Sequence, residues 1–450
     1  MENFVTIIGA GLAGSEAALQ LAKRGIKVKL WEMRPNKMTG AHTGGNCAEF
    51  VCSNSLGSSD ITNASGLLKA EMELLGGELI TIAKEHSVPA GNALAIARED
   101  FALAVTERIK SDKNIELIRE EITDIPDGLV IIASGPLTSD KLANSIQKFT
   151  KSEHLHFFDA IAPIVEVDSI NFDKAFWGSR YDKGEASYIN CPMNKDEYEK
   201  FYNILINAPR IEQHDADKDA KFFESCLPVE VLASRGIDTL RFGPMKPVGL
   251  IDKRTGTENY AVVQLRQDDS AKTLFNLVGF QTNLKWGAQK ELVHSIPGLE
   301  NANIVRYGVM HRNTFINASQ ILNPTFETRE RKGLFFAGQI TGTEGYTESI
   351  AGGLLAGINM AKRIQGEELF IPPQETMLGA LAHYITDKAH LAHISKRDGT
   401  LRYLPPQPIN SNWAIVSPIE LPKKDRKNKK LKTEFLSKRA LEVMKGIVGR

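Results

Sequence analysis

Six residues near the start of the chain, Gly9-Ala10-Gly11-Leu12-Ala13-Gly14, have the spacing G-x-G-x-x-G. Alone, that spacing is a weak signal. Here it follows the apolar run Phe4–Gly9 and opens a stretch of helical periodicity. The acid Glu32 comes at the end of the next apolar run, Val28–Trp31. In that context the glycines read as a dinucleotide site. Gly9 makes the turn, Gly11 lets the backbone approach a pyrophosphate, and Gly14 lets helix and strand pack closely. The helix N-terminus adds free N–H groups and a partial positive charge. Glu32 is expected to accept hydrogen bonds from the adenosine ribose. Arg34 reaches a phosphate or the adenine, or is a plain surface arginine.

A second set lies far downstream. Phe335-Phe336-Ala337-Gly338-Gln339 precedes Gly342-Thr343-Glu344-Gly345-Tyr346, and Ala351-Gly352-Gly353 follows. A strand, glycines and a Gly/Ala helix remote from the first set are the arrangement of two-domain FAD proteins. The expected cofactor is therefore FAD, with Gly338, Gln339, Glu344 and Gly345 near its flavin end. The four cysteines are Cys47, Cys52, Cys191 and Cys226, with no C-x-x-C pair and no histidine cluster at zinc spacing. No metal site is expected. An isolated cysteine reads first as a small buried hydrophobe.

These residues need a scaffold. At 450 residues the chain exceeds what one core usually serves, so two domains are expected. Phe4–Gly9, Gly14–Arg24 and Val28–Trp31 make one βαβ unit. Residues 35–66 read as a long Gly/Ser/Thr/Asn loop, of the kind that is functional or disordered. Leu67–Lys84 and Arg98–Lys110 read as helices. From about Phe149 to Lys285 the character changes to aromatics, short β-like runs and acidic helices, including Ala216–Phe223. The strand Lys332–Ala337 and the helix Gly352–Ile364 then resume the first fold. The expected class is α/β: a Rossmann-like FAD-binding domain interrupted by a smaller α+β insertion domain. The expected division is 1–148 and 286–405 for the FAD-binding parts, 149–285 for the insertion and 406–450 for a C-terminal basic extension.

Lysine plus arginine and aspartate plus glutamate both number 55, so charge gives no global argument for nucleic acid. The exception is Leu421–Arg450, with eleven basic and three acidic residues. It reads as a solvated, partly frayed tail or as a phosphate-contacting extension. No apolar run reaches membrane-spanning length, and no leader pattern precedes the first strand, so the expected compartment is the cytoplasm.

Three segments carry a specific resemblance: Trp31-Glu32-Met33-Arg34-Pro35, Cys47-Ala48-Glu49-Phe50-Val51-Cys52-Ser53-Asn54-Ser55 and Gly342-Thr343-Glu344-Gly345-Tyr346-Thr347-Glu348-Ser349. With them the chain resembles the folate- and FAD-dependent tRNA (uracil-5-)-methyltransferases of bacteria. The resemblance runs from about Asn3 to about Pro405 and weakens after it, and the Lys-rich tail looks like an addition. It implies methylation of the T-loop uridine of tRNA at C5. The carbon comes from 5,10-methylenetetrahydrofolate and the reducing power from NAD(P)H through FAD. A thiolate adding at uracil C6 makes C5 nucleophilic, a base takes the C5 proton, and a hydride completes the methyl group.

By the same resemblance Cys226 is the nucleophile on C6, from the insertion, and Cys52 sits beside the flavin, to protect or relay the one-carbon unit. Which thiol performs which step stays open. Tyr346 lies near the flavin and Cys226, and tunes that thiol or stacks on the ring. Ser53 and Asn54 offer hydrogen bonds there, and His311-Arg312-Asn313-Thr314 is a folate or flavin contact or a structural segment. Arg241, Lys246 and Arg266 meet RNA phosphates or are solvated. Alternatives are the same chemistry on a 23S ribosomal RNA uridine, or a small-molecule flavin oxidoreductase. Larger tRNA-modifying flavoproteins that install carboxymethylaminomethyl groups share the Gly-Tyr segment but are longer. An RNA-binding protein that keeps FAD only for stability fits poorly with Cys52 and Cys226 both in place. The preference between NADH and NADPH and the oligomeric state are not legible.

Overall fold

The computed structural model describes residues 4–151, 155–182, 185–211, 227–256, 259–394, 401–403, 407–421 and 428–449. The main sheet has five parallel strands: β1 (Phe4–Ile8), β2 (Lys27–Trp31), β3 (Ile115–Ile118), β4 (Val130–Ile132) and β5 (Leu334–Phe336). Their order is β5-β4-β1-β2-β3. Val5, Ile7, Ile131 and Phe335 are fully buried, as strands covered on both faces require. β1 leads through the glycine turn into α1 (Leu12–Lys23).

Two helices set the position of everything near that turn. α3 (Tyr346–Gln365) packs against α1 almost backbone to backbone. A Cβ on Gly353 would stand 2.2 Å from the Ala13 carbonyl oxygen, and one on Gly357 would stand 3.0 Å from the Ala17 Cα. Only glycine permits this approach, which brings the N-terminus of α3 beside Gly9–Gly14. The helix begins at Tyr346, six residues before the Gly352 expected from periodicity, because Gly345 at φ 114° turns the chain into it.

Between β4 and β5 the chain leaves the sheet for a second core. Its way out is the strand Leu155–Ala160 and its way back is Met310–Phe315, paired antiparallel. Between them lies an antiparallel six-stranded sheet, in the order Phe176–Gly178, Tyr188–Met193, Ala261–Gln267, Leu274–Leu277, Ile164–Glu166, Ile304–Arg306. Phe201, Phe275, Phe280 and Leu299 are among its buried residues. The helix Lys195–Asn207 over this sheet starts with a reciprocal cap. The Asn194 side chain accepts from the Glu197 N–H at 2.9 Å, and the Glu197 carboxylate accepts from the Asn194 N–H at 2.8 Å. Residues 216–223, read as helical, lie outside the described residues.

Two further elements differ from the sequence pattern. The Leu67–Lys84 segment is two helices, α2 (Ala64–Leu74) and Glu78–Glu85, broken at Gly76 with φ 79°. The stretch 35–66 contains a strand, Ser55–Ser58, paired with Ala93–Ile96. Downstream, α4 (Met377–Thr386) packs on α2, and the buried Glu71 carboxylate accepts the Met377 and Leu378 N–H groups at 2.7 and 2.8 Å. Most of the basic C-terminal stretch is a helix, α5 (Lys429–Val448). It buries Leu436, Ala440 and Met444, spaced at four residues, and packs on α2. The Ser437 hydroxyl donates to the Ile61 carbonyl at 2.6 Å. Among the described residues no helix is long and apolar enough to cross a membrane.

Candidate active site

A cleft of about 640 Å³ runs along the carboxyl ends of the main strands. The glycine turn forms one end. Gly9 has φ 99°, and a Cβ on Gly14 would stand 1.8 Å from the Gly9 carbonyl oxygen. Gly11 is the opposite case: a Cβ there would meet no protein atom within 4 Å, so its backbone faces open space. Gly9, Gly11, Leu12 and Ala13 line the cleft, as do Glu32 and Arg34 further along it. Gly14 packs behind the turn. The Ala10 N–H donates to the Glu32 carboxylate at 3.0 Å.

Glu32 is therefore fixed from two sides. Its other carboxylate oxygen accepts from the Arg34 backbone N–H and from Arg34 Nε, both at 3.0 Å. Burial opposes its ionisation. The Arg34 charge and these hydrogen bonds outweigh burial and hold the carboxyl below the usual range. Arg34 itself is only 2% exposed. Its guanidinium also reaches Glu49 at 2.7 Å and the carbonyls of Gly44 and Asn46 at 3.2 Å. It thus ties the 35–66 stretch to the end of β2.

The far end of the cleft is built by α3 and the Cys52 loop. Gly338, Gln339, Glu344, Gly345 and Tyr346 all line it. The Gln339 amide donates to the Glu344 carboxylate at 2.5 Å. The Tyr346 hydroxyl accepts from the Val51 and Cys52 N–H groups at 2.9 and 2.7 Å and lies 3.0 Å from Cys52 Sγ. Two N–H donors occupy the phenol oxygen, so its own hydrogen is directed at the sulfur. Burial, and then the neighbouring Cys52, push the phenol well above its ordinary pKa, so it stays a donor. The ring also packs on Phe50, centroids 4.4 Å apart.

Cys52, Ser53 and Gln281 belong both to this cleft and to a second one of about 350 Å³ in the insertion. Leu227, Leu232, Pro244, Arg266 and Asn276 line the second cleft. Cys226 lies outside the described residues, and Leu227 follows it in sequence. Asn54 is buried and ties the two units: its amide donates to the Ile96 and Gln267 carbonyls and accepts from Arg266 Nε at 2.9 Å. Arg98 supports the same loop through the Val51 carbonyl at 3.1 Å and Asp268 at 2.9 Å. Arg241 covers the Tyr260 ring and pairs with Asp238, while Lys246 is exposed. Asn313 is fully buried, and the side chains of His311 and Arg312 lie outside the described residues. Cys47 and Cys191 are buried, and burial raises both thiols above their ordinary pKa.

Several wall residues carried no mark in the sequence. The loop Ser134–Thr138 after β4 lines the cleft, as do Asn410 and Ser411 from the C-terminal stretch. Glu348 accepts from the Ser411 N–H at 2.9 Å and from its hydroxyl at 2.6 Å, which draws that stretch onto α3. Position after a parallel strand was the usable hint for the first loop. Nothing in sequence marked the second.

Residues 4–368 match the sequence model of the family named glucose inhibited division protein A. A curated protein of Anoxybacillus flavithermus, named methylenetetrahydrofolate–tRNA-(uracil-5-)-methyltransferase TrmFO, is 54% identical over 444 residues, 99% of each chain. The Bacillus subtilis protein of the same name is 54% identical over 446 residues. The likeness therefore reaches into α5, and the tail is shared with relatives, contrary to its appearance as an addition. Among solved structures, Aquifex aeolicus GidA in its form II crystal has a TM-score of 0.68 at 16% identity, with 99% of this chain and 73% of that chain covered. That likeness shows the fold. By its relatives over the full length, the chain belongs to the TrmFO family of methylenetetrahydrofolate–tRNA-(uracil-5-)-methyltransferases.

Proposed function

We propose that the chain transfers a one-carbon unit from 5,10-methylenetetrahydrofolate to C5 of uracil in tRNA, with FAD and NAD(P)H as the reducing system. One observation carries the reading: a dinucleotide-sized cleft shares the wall Cys52–Ser53–Gln281 with a second cleft in the insertion. The residues present fit FAD. The open backbone at Gly11 and the N–H groups at the start of α1 suit a pyrophosphate, Glu32 suits an adenosine ribose, and the cleft reaches on to Tyr346 with room for a flavin. When bound, FAD supplies hydride chemistry at the Tyr346 end.

This chain's own residues do the rest. Tyr346 holds the Cys52 backbone and aims a proton at its sulfur. Arg98 and Asn54 fix the loop between the clefts. The unit between Leu155–Ala160 and Met310–Phe315 is read as the part that faces RNA. Cys226 is proposed as the thiolate that adds to uracil C6, supported by Leu227 in the wall of the second cleft. Work on tRNA with two reduced thiols suits the cytoplasm. Relatives named for tRNA disfavour the ribosomal RNA and small-molecule readings.

The test offers methylene-labelled folate donor and NAD(P)H to the flavin-loaded protein with an unmodified tRNA transcript. Label at uridine C5 is expected. Transfer only from S-adenosylmethionine, or only to a ribosomal RNA fragment, would overturn the reading.

A further inference from the structure

Five residues after Gln281, the insertion carries a pair of stacked rings, one of them exposed. Trp286, the first residue of the helix Trp286–His294, is 62% exposed. Its indole stacks on Tyr307, with centroids 5.6 Å apart and planes within 19°. A ring backed by another ring is held flat and presents one face to solvent. The indole face turned away from Tyr307 is therefore open to a flat ligand.

The surroundings are cationic. Lys285 and Lys290 are exposed on either side of Trp286 in sequence. Exposed Arg210 is brought alongside by backbone pairing with Leu284, reinforced by the Lys285 N–H on the Pro209 carbonyl at 3.0 Å. Among the described residues, none of these three cations is in an ion pair. Glu291 is the one acid on the helix.

The rings are also joined to the site. Gln281, in the wall of both clefts, is five residues from Trp286, so the two lie within about 18 Å. Arg306, next to Tyr307, donates to the Ala41 carbonyl at 3.1 Å, beside His42 of the first cleft.

We propose that the free face of Trp286 stacks an unpaired nucleobase of the substrate RNA near the target uridine, with Arg210, Lys285 and Lys290 meeting its flanking phosphates. Aromatic faces take any base, and cations track the backbone, which is how single-stranded RNA is held without base-specific hydrogen bonds. The inference rests on the RNA-methylating function proposed above and adds where a neighbouring nucleotide sits.

The test titrates the flavin-loaded full chain with unmodified tRNA transcript and reads tryptophan fluorescence and Kd. Trp286→Ala is expected to weaken binding about tenfold, and Trp286→Phe to recover much of the loss. The RNA KM is expected to rise with kcat at saturating RNA kept. Bound-flavin absorbance checks that each variant is folded. Lys285→Gln is expected to lower the salt dependence of binding by about one phosphate contact. Unchanged Kd and KM in Trp286→Ala, beside a wild type that methylates tRNA, overturns this inference alone. Loss of self-association in that variant with RNA binding intact also overturns it, by assigning the ring to a contact between copies. A wild type that transfers no label overturns the function instead, and the fluorescence titration still reads the stacking.

Discussion

The Tyr346 hydroxyl lies 3.0 Å from Cys52 Sγ while accepting the N–H groups of Val51 and Cys52. One oxygen thus orients the sulfur's peptide and directs a hydrogen bond at the sulfur. Tyr346→Phe removes both functions. Two partly buried N–H groups lose their partner, at about 1–3 kcal/mol each. The sulfur also loses a donor that favours its thiolate, so Cys52 alkylation is expected to shift to higher pH and tRNA methylation to fall at least about tenfold. An unaltered pH profile of alkylation would show that the hydroxyl does not act on the thiol.

Gly11 and Gly14 separate ligand space from protein packing. Gly11→Ala places its Cβ where no protein atom lies within 4 Å. Its apoprotein stability is expected to stay within about 0.5 kcal/mol of wild type, while flavin content after dialysis falls. Gly14→Ala places a Cβ 1.8 Å from the Gly9 carbonyl and is expected to cost about 1–3 kcal/mol or more in the apoprotein itself. Denaturation midpoints and flavin absorbance distinguish the two. Full flavin retention in Gly11→Ala would move the pyrophosphate elsewhere.

Arg34 satisfies two carboxylates at once, Glu32 at 3.0 Å and Glu49 at 2.7 Å. Arg34→Met leaves Glu32 buried and Glu49 partly buried without their cation, and is expected to cost about 3–5 kcal/mol in urea unfolding. Because Glu32 is held below the usual carboxylate range, its share of stability is present above that range and is lost as pH falls through the depressed value. The variant is therefore expected to lose less than wild type on acidification.

Glu71 gives the opposite slope. Burial pushes its carboxyl up to about 7, although the Leu378 and Met377 N–H groups pull the other way. A raised acid stabilises the fold fully below its unfolded value of about 4.5, and that stability is lost as pH rises through about 7. A displacement of this size corresponds to about 3 kcal/mol. Between pH 5 and 8 the wild-type midpoint is expected to fall, and Glu71→Gln to flatten that fall. Parallel slopes in the two proteins would exclude Glu71 as its source.

Local chemistry was legible and long-range closure was not. The turn at Gly9–Gly14 and the acid at Glu32 lie within one βαβ unit, where spacing alone decides the geometry. Gly345 and Tyr346 were marked by their glycine-rich setting. The Tyr346–Cys52 contact spans 294 positions and depends on how α3 packs on α1, which no window of sequence contains. Helix α5 was hidden for a compositional reason. Its buried stripe is narrow, Leu436, Ala440 and Met444, within a segment whose lysines dominate any local reading. The tie from Ser411 to Glu348, 63 positions apart, also lies beyond any local window.

That tie bears on the order in which the protein is made. Asn410 and Ser411 form part of the cleft wall opened by the first strand of the chain. While synthesis is under way, the glycine turn and α1 emerge early, but the pocket they begin stays unwalled on one side. The compartment for a dinucleotide is walled on that side only after residue 411 has left the ribosome, some four hundred residues after the glycine turn that begins it.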